Sequence, residues 1–197
     1  MNTTEWSAKD FDKRANSPSE WLFVADDLLA ASCFLSEHSY HLSSSWPKLE
    51  DRFPSFDELR ITPVILMLRS MAIECLLKGI YAKLCGSLAQ NGRYKSIRGA
   101  KDHDLLQLAK TVPSLHDLGL TDEDKDFIKR LSRNLIRGRY PIHKTWTHHL
   151  LAHAGGDKRR IPGLMVPDHD DNLFHVVLAR LRGFLHEEAA AMYGQEE

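Results

Sequence analysis

Three arginines, an asparagine and a histidine crowd one short segment, Arg133-Asn134-Leu135-Ile136-Arg137-Gly138-Arg139-Tyr140-Pro141-Ile142-His143. An imidazole passes protons near neutral pH. A guanidinium offers a planar fork that fits phosphate oxygens and steadies the charge that builds on a phosphorane. RNA brings its own nucleophile, the 2′-hydroxyl, so an Arg–His pair in a basic groove suits phosphodiester cleavage without a metal. The plainer alternative is that Arg137 and His143 are surface residues around a helix end. The surroundings are basic. Between Phe127 and Arg160 stand Lys129, Arg130, Arg133, Arg137, Arg139, Lys144, Lys158, Arg159 and Arg160, with Asp157 as the only acid. In a chain of net charge −1 this is a local patch, fit for an anionic partner or for a solvated charged face.

Other chemistries have less behind them. His149 and His153 stand at i, i+4 beside His148 and could chelate zinc from one helical face, but no acidic or cysteine ligand has a matching spacing and HExxH is absent. There is no Gly-x-Ser-x-Gly elbow, no P-loop and no GxGxxG. Cys33, Cys75 and Cys85 form no CxxC pair, and each lies in an apolar helical pattern, so buried thiols are expected. Neither a metal nor a cofactor is expected.

The elements that must position the basic segment read as helices throughout. Residues 1–16 are a loose segment or a short helix. Ser17-Pro18-Ser19-Glu20 has the layout of a capping box, followed by Trp21, Val24, Leu28, Ala31 and Leu35 at helical spacing, to an end near Tyr40. A Ser- and Pro-containing connector, 41–57, follows. Thr62-Pro63 opens the most hydrophobic helix, reaching about Ala89, with apolar residues around nearly its whole circumference; it should be central. Its one polar stripe is Ser70, Glu74 and Lys78, either a solvent-facing strip or the seat of a functional carboxylate.

A basic loop, 90–101, leads to a helix capped by Asp102 and running to Val112. Thr121-Asp122-Glu123-Asp124 starts the next, which carries two basic stripes: Lys125, Lys129 and Arg133, and Arg130, Asn134 and Arg137. Gly138 should end it. An irregular basic insertion, 144–167, precedes a last helix from Asp168, with Phe174, Val177, Leu178, Leu181, Phe184, Leu185 and Met192 on its apolar face. No alternating stretch reads as a strand. The expectation is one all-α domain, 17–193, an up-and-down bundle of about five helices. The N-terminus lacks a signal layout and the longest apolar run, Val64 to Leu68, is too short to span a bilayer, so a cytoplasmic chain without a membrane partner is expected.

Three segments give the chain a likeness. Leu68-Arg69-Ser70-Met71-Ala72-Ile73-Glu74-Cys75-Leu76-Leu77-Lys78-Gly79, His103-Asp104-Leu105 and Arg137-Gly138-Arg139-Tyr140-Pro141 occur in the order found in HEPN-domain proteins (higher eukaryote and prokaryote nucleotide-binding), which the chain resembles over roughly 60–190. These proteins often carry an Arg, four to six residues and a His; Arg137 and His143, with five between, match. The resemblance implies a HEPN-like bundle and a metal-independent endoribonuclease, a toxin or phage-defence effector. It further implies a homodimer in which two Arg–His motifs share a cleft, and a nucleotidyltransferase-type antitoxin as a possible partner. It makes His143 the general acid/base and Arg137 the stabiliser of the transition state. Arg133, Asn134, Arg139 and Lys144 would hold RNA phosphates, and Glu74 would be a supporting acid. The family also contains non-catalytic modules that bind RNA, nucleotide or a protein, the alternative expectation.

Overall fold

The computed structural model describes residues 7–44, 56–101, 103–112, 119–139 and 169–193, with backbone alone at 39–44, 56–60, 134, 136–139, 169 and 186–193. Among these are six helices: α1 (Ala8–Ala15), α2 (Pro18–Ser44), α3 (Phe56–Leu84), α4 (Leu105–Thr111), α5 (Asp122–Arg139) and α6 (His169–Tyr193). A two-stranded hairpin, β1 (Ala89–Gln90) and β2 (Arg93–Tyr94), joins α3 to α4. No helix is long and apolar enough to cross a membrane among the described residues.

Helix α3 is central, as its all-round hydrophobicity implies. It packs against α2, α4, α5 and α6, and Ala72, Ile73, Leu76, Leu77 and Ile80 are sealed from solvent. Around it lie Leu105 and Leu108 of α4, Phe127, Ile128, Leu131 and Leu135 of α5, and Phe174, Val177, Leu181 and Leu185 of α6.

Cross-helix ion pairs fix the directions. Arg69 and Lys83 of α3 meet Asp171 and the Phe184 carbonyl of α6, so α3 and α6 run the same way. Arg130 and Asp124 of α5 meet Asp170 and Arg180 of α6, so α5 runs the other way. Arg182 of α6 pairs with Asp26 of α2; the start of α2, at Pro18 and Trp21, lies against Gly79 near the end of α3, and α2 packs on α3 more extensively than on any other helix, so α2 runs back along α3 antiparallel to it. The four long helices form an up-and-down bundle. The C-termini of α2 and α5 and the N-termini of α3 and α6 share one end of it.

Local chemistry differs from expectation at several boundaries. Residues 8–15 are helical because Ser7 and Asp10 form a reciprocal capping box. Glu20 does not close the box on Ser17; it is drawn to Arg14 at 2.7 Å. The inward stripe of α2 is Leu22, Ala25, Leu29 and Ser32, with Val24 and Ala31 exposed, one residue out of phase with the spacing read from Trp21 and Val24. α2 runs on to Ser44 and α3 starts at Phe56, which places Pro63 inside a helix and shortens the connector from both sides. Asp104, not Asp102, caps α4, accepting from the Gln107 amide at 3.0 Å.

The hairpin lies in what reads from sequence as a loop. Asn91 (φ 56°) and Gly92 (φ 72°) both take left-handed conformations, the Asn-Gly turn that two-residue hairpins prefer. Asn16 anchors it from the α1–α2 junction, accepting from the Leu88 and Ala89 amides and donating to the Ala89 carbonyl. Cys33 and Cys85 are exposed and only Cys75 is partly covered, against the expectation of buried thiols.

Candidate functional site

The polar stripe of α3 turns inward. Ser70 is sealed, its hydroxyl within 2.6 Å of the Leu66 carbonyl and 3.1 Å of Leu131's in α5. One turn on, Glu74 is buried between two cationic or donor side chains: Lys78 Nζ at 2.7 Å from one carboxylate oxygen and His103 Nδ1 at 3.0 Å from the other. The solvent-facing strip is thereby overturned. The i, i+4 pair forms as its order predicts, but beneath the surface, because Tyr94 of the hairpin and Ile97, Lys101 and His103 after it close over it.

Lys78 sits between two rings, 5.5 Å from Trp21 and 5.4 Å from Tyr94. Burial alone would push the Glu74 carboxyl up; the Lys78 ammonium and the bonds from Lys78 and His103 outweigh it and hold the group below the usual carboxylate range. Lys78 is the mirror case: burial works to discharge it, and Glu74 with Tyr94 holds it charged above its ordinary range. Beside them, burial pushes the Cys75 thiol up to about 11, which favours the thiol over the thiolate at neutral pH. A small cleft at the cluster is lined by Glu74, Lys78, Tyr94, Ile97, Lys101 and His103.

His103 itself has φ 68°, a conformation rare for a side chain of this size. It lets the chain turn sharply into α4 while aiming the imidazole at Glu74. The next residue, Asp104, caps α4, and the Leu105 amide donates to Ser132 of α5 at 3.0 Å. The His-Asp-Leu triplet thus does three jobs in sequence: ion-pair partner, cap and core residue.

The basic segment lies further along the bundle. α5 starts with the expected reciprocal bonds, the Thr121 amide donating to Asp124 at 2.8 Å and the Asp124 amide to the Thr121 hydroxyl at 3.2 Å. It passes through Gly138 and ends at Arg139, one residue beyond the expected stop. Arg133 is exposed, as is Lys129 one turn before it, and neither has an ion-pair partner among the described residues. Arg130 is different. It grips Asp126 at 2.5 Å and the buried Asp170 at 2.6 Å, so it joins α5 to α6 and leaves the second basic stripe.

Asn134, Arg137 and Arg139 are on the backbone of α5's last turns. His143 and Lys144, and the histidines His148, His149 and His153, lie outside the described residues. Among the described residues no three His, Cys, Asp or Glu side chains cluster as a metal site would require.

Glu74 and Arg137 are far apart. Ser70 meets Leu131, and α3 and α5 are antiparallel, so Glu74 is four residues up from that level and Arg137 six residues down. At 1.5 Å per residue they are separated by ~15 Å along the bundle. That places Glu74 beyond direct contact with a phosphate held at Arg137; what it can do is fix α3 against the α4 approach.

Comparison with protein-family models, with curated proteins and with solved structures finds no match for the chain.

Proposed function

We propose that this chain is a HEPN-type, metal-independent endoribonuclease, with Arg137 and His143 as its catalytic pair. The observation that supports the reading is the contact of Glu74 with His103. Two of the three segments that carry the resemblance are distant in sequence, yet they meet at 3.0 Å inside an up-and-down helical bundle. The third segment begins in the last turn of α5, at the end of the bundle where α2 also ends and α3 and α6 begin.

The chemistry follows from the residue types. His143 takes the proton of a 2′-hydroxyl, whose oxygen attacks the adjacent phosphorus. The negative charge that gathers on the phosphorane oxygens is met by Arg137. A proton returned to the departing 5′-oxygen completes cleavage, leaving a 2′,3′-cyclic phosphate and a 5′-hydroxyl. Arg133, Asn134, Arg139 and Lys144 hold neighbouring phosphates. A homodimer pairing two such motifs, a toxin or phage-defence role in the cytoplasm and a nucleotidyltransferase-type antitoxin belong to the same reading.

Purified protein and its His143→Ala and Arg137→Ala variants, incubated with RNA in EDTA, test it. Cleavage by the native chain alone, with cyclic-phosphate ends, is the expected result. Equal cleavage by all three, or none by the native chain, ends the catalytic assignment.

A second reading has a specific residue behind it. Gly138 follows Arg137 where active members of the resembling family commonly have a polar side chain. A non-catalytic module binding RNA, nucleotide or a protein would keep the exposed Lys129 and Arg133 and show salt-sensitive binding without turnover.

A further inference from the structure

Helix α2 has an apolar stripe that nothing among the described residues covers. Phe23 is 65% exposed and Phe34 70%, and Ala30 and Ala31 lie open between them. Leu22, Ala25, Leu29 and Ser32 hold the other side of the helix against the core, so the stripe faces outward from the bundle. Two large rings and two alanines on one face of a chain with 27% charged residues are more than scattered surface apolars.

We infer that this face is a self-association surface, on which a second copy of the chain packs its own α2 antiparallel about a two-fold axis. Asp27, Ala30, Ala31 and Phe34 stand at i, i+3, i+4 and i+7, the four positions that frame a hole on a helix surface. The two alanines leave that hole open, and Phe34 is the knob that fills it. In an antiparallel pair the Phe34 ring of each copy comes level with Ala30–Ala31 of the other, so both holes fill at once.

The same register sets Asp27 of each copy opposite His38 of the other. Both residues are exposed and neither has a partner among the described residues. The carboxylate accepts from the imidazole, twice, by symmetry. A parallel pair would instead set Asp27 against Asp27 and His38 against His38. Charge therefore selects the antiparallel copy.

This interface is separate from the catalytic proposal. α2 packs on α1, α3 and α6, and an antiparallel two-fold sends the two α5 C-termini to opposite ends of the pair. It does not bring two copies of residues 133–143 together.

Sedimentation of the full chain over a concentration series tests the inference, with helix content and melting temperature as controls. The native protein is expected to associate through this face, as a dimer, or as a larger assembly where the Arg–His motifs also pair. Phe34→Glu should lose this step of association, with unchanged helix content and with an unchanged melting temperature at concentrations where the native face is also dissociated. Asp27→Lys should raise Kd roughly tenfold or more, and Asp27→Lys with His38→Glu should restore it. A native monomer overturns the inference, including one that Phe34→Glu destabilises, which would mean that the chain's own residues cover the face. An assembly size unchanged by Phe34→Glu overturns it too, placing the interface elsewhere, as does failure of the charge swap to restore pairing. RNA cleavage by the Phe34→Glu variant reports separately on the catalytic reading.

Discussion

His103 Nδ1 lies 3.0 Å from Glu74 Oε2, and the contact joins the middle of α3 to the sharp turn that enters α4. Glu74's other oxygen is held by Lys78, so one buried carboxylate answers two partners from two directions. Removing it leaves a largely buried ammonium without its counter-charge. Glu74→Leu should lower unfolding free energy by about 2 kcal/mol, less than for a fully sealed pair because Lys78 retains some solvent. Glu74→Leu with Lys78→Met should recover part of that loss. Urea unfolding decides it: a double variant less stable than the single would contradict the ion-pair account.

Acid should unfold the protein partly through this carboxylate. Its folded-state value is held below 4.5, so its contribution is fully present above 4.5 and is lost as pH falls through the lower, folded value. Asp124 adds a second contribution of the same sign. Burial pushes its carboxyl up, but the Thr121 amide and hydroxyl and the Arg180 guanidinium outweigh it and hold it below 3.8. Stability measured between pH 6 and 2 should therefore fall steepest in the acid limb. Glu74→Gln should be less stable at neutral pH but flatter below 4.5. An unchanged slope in that variant would place the acid sensitivity elsewhere.

Two arginines three positions apart on α5 should behave oppositely. Arg130 is one partner of Asp170, a carboxylate only 1% exposed, so Arg130→Ala should cost about 1.5–3 kcal/mol by removing a charge-assisted bond to a buried carboxylate. Arg133 is exposed and unpaired among the described residues, so Arg133→Ala should change stability by less than about 0.5 kcal/mol. If the chain binds RNA as proposed, Arg133→Ala should also weaken binding and reduce the salt slope by about 0.7 for a single strand. Thermal melts and RNA titrations at several salt concentrations separate the two roles. Equal destabilisation by both would show that Arg133 too is structural.

The helical architecture was legible because amphipathic spacing and capping boxes are local. Thr121 with Asp124 is a sequence signal that the structure reproduces bond for bond. The phase of α2 was not, because Trp21 and Leu28 flank the core while Leu22, Ala25 and Leu29 enter it; a helix apolar on both sides has no unique inward face until its neighbours are placed. The hairpin at Asn91-Gly92 reads from sequence only as part of a loop, because strands of two residues leave no alternation to read. The inward turn of Ser70, Glu74 and Lys78 depends on Leu131, His103 and Tyr94, none of them a helical neighbour. Arg130 and Arg133 look alike in sequence; Asp170, forty residues away, distinguishes them. His143, on which the catalytic reading turns, lies outside the described residues.

Gly79 lies where α2 and α6 both come close to α3. A Cβ there would come within 3.1 Å of Trp21 Cβ, 3.2 Å of a Leu185 methyl and 3.3 Å of the Pro18 carbonyl oxygen. Alanine normally stabilises a helix interior over glycine by about 1 kcal/mol. At this crossing the backbone oxygen cannot swing aside, so overpacking of about 1–3 kcal/mol should outweigh that gain and leave Gly79→Ala net destabilised. Gly183 in α6 is the matched control. It is exposed, with nothing within 4 Å of its would-be Cβ, so Gly183→Ala should show the helix-propensity gain alone. Opposite signs for two Gly→Ala changes in the same bundle, read from urea midpoints, are the expected outcome. A stabilised Gly79→Ala would mean that α2 and α6 yield at the crossing, and that Trp21 is not fixed over Lys78 by close packing at Gly79.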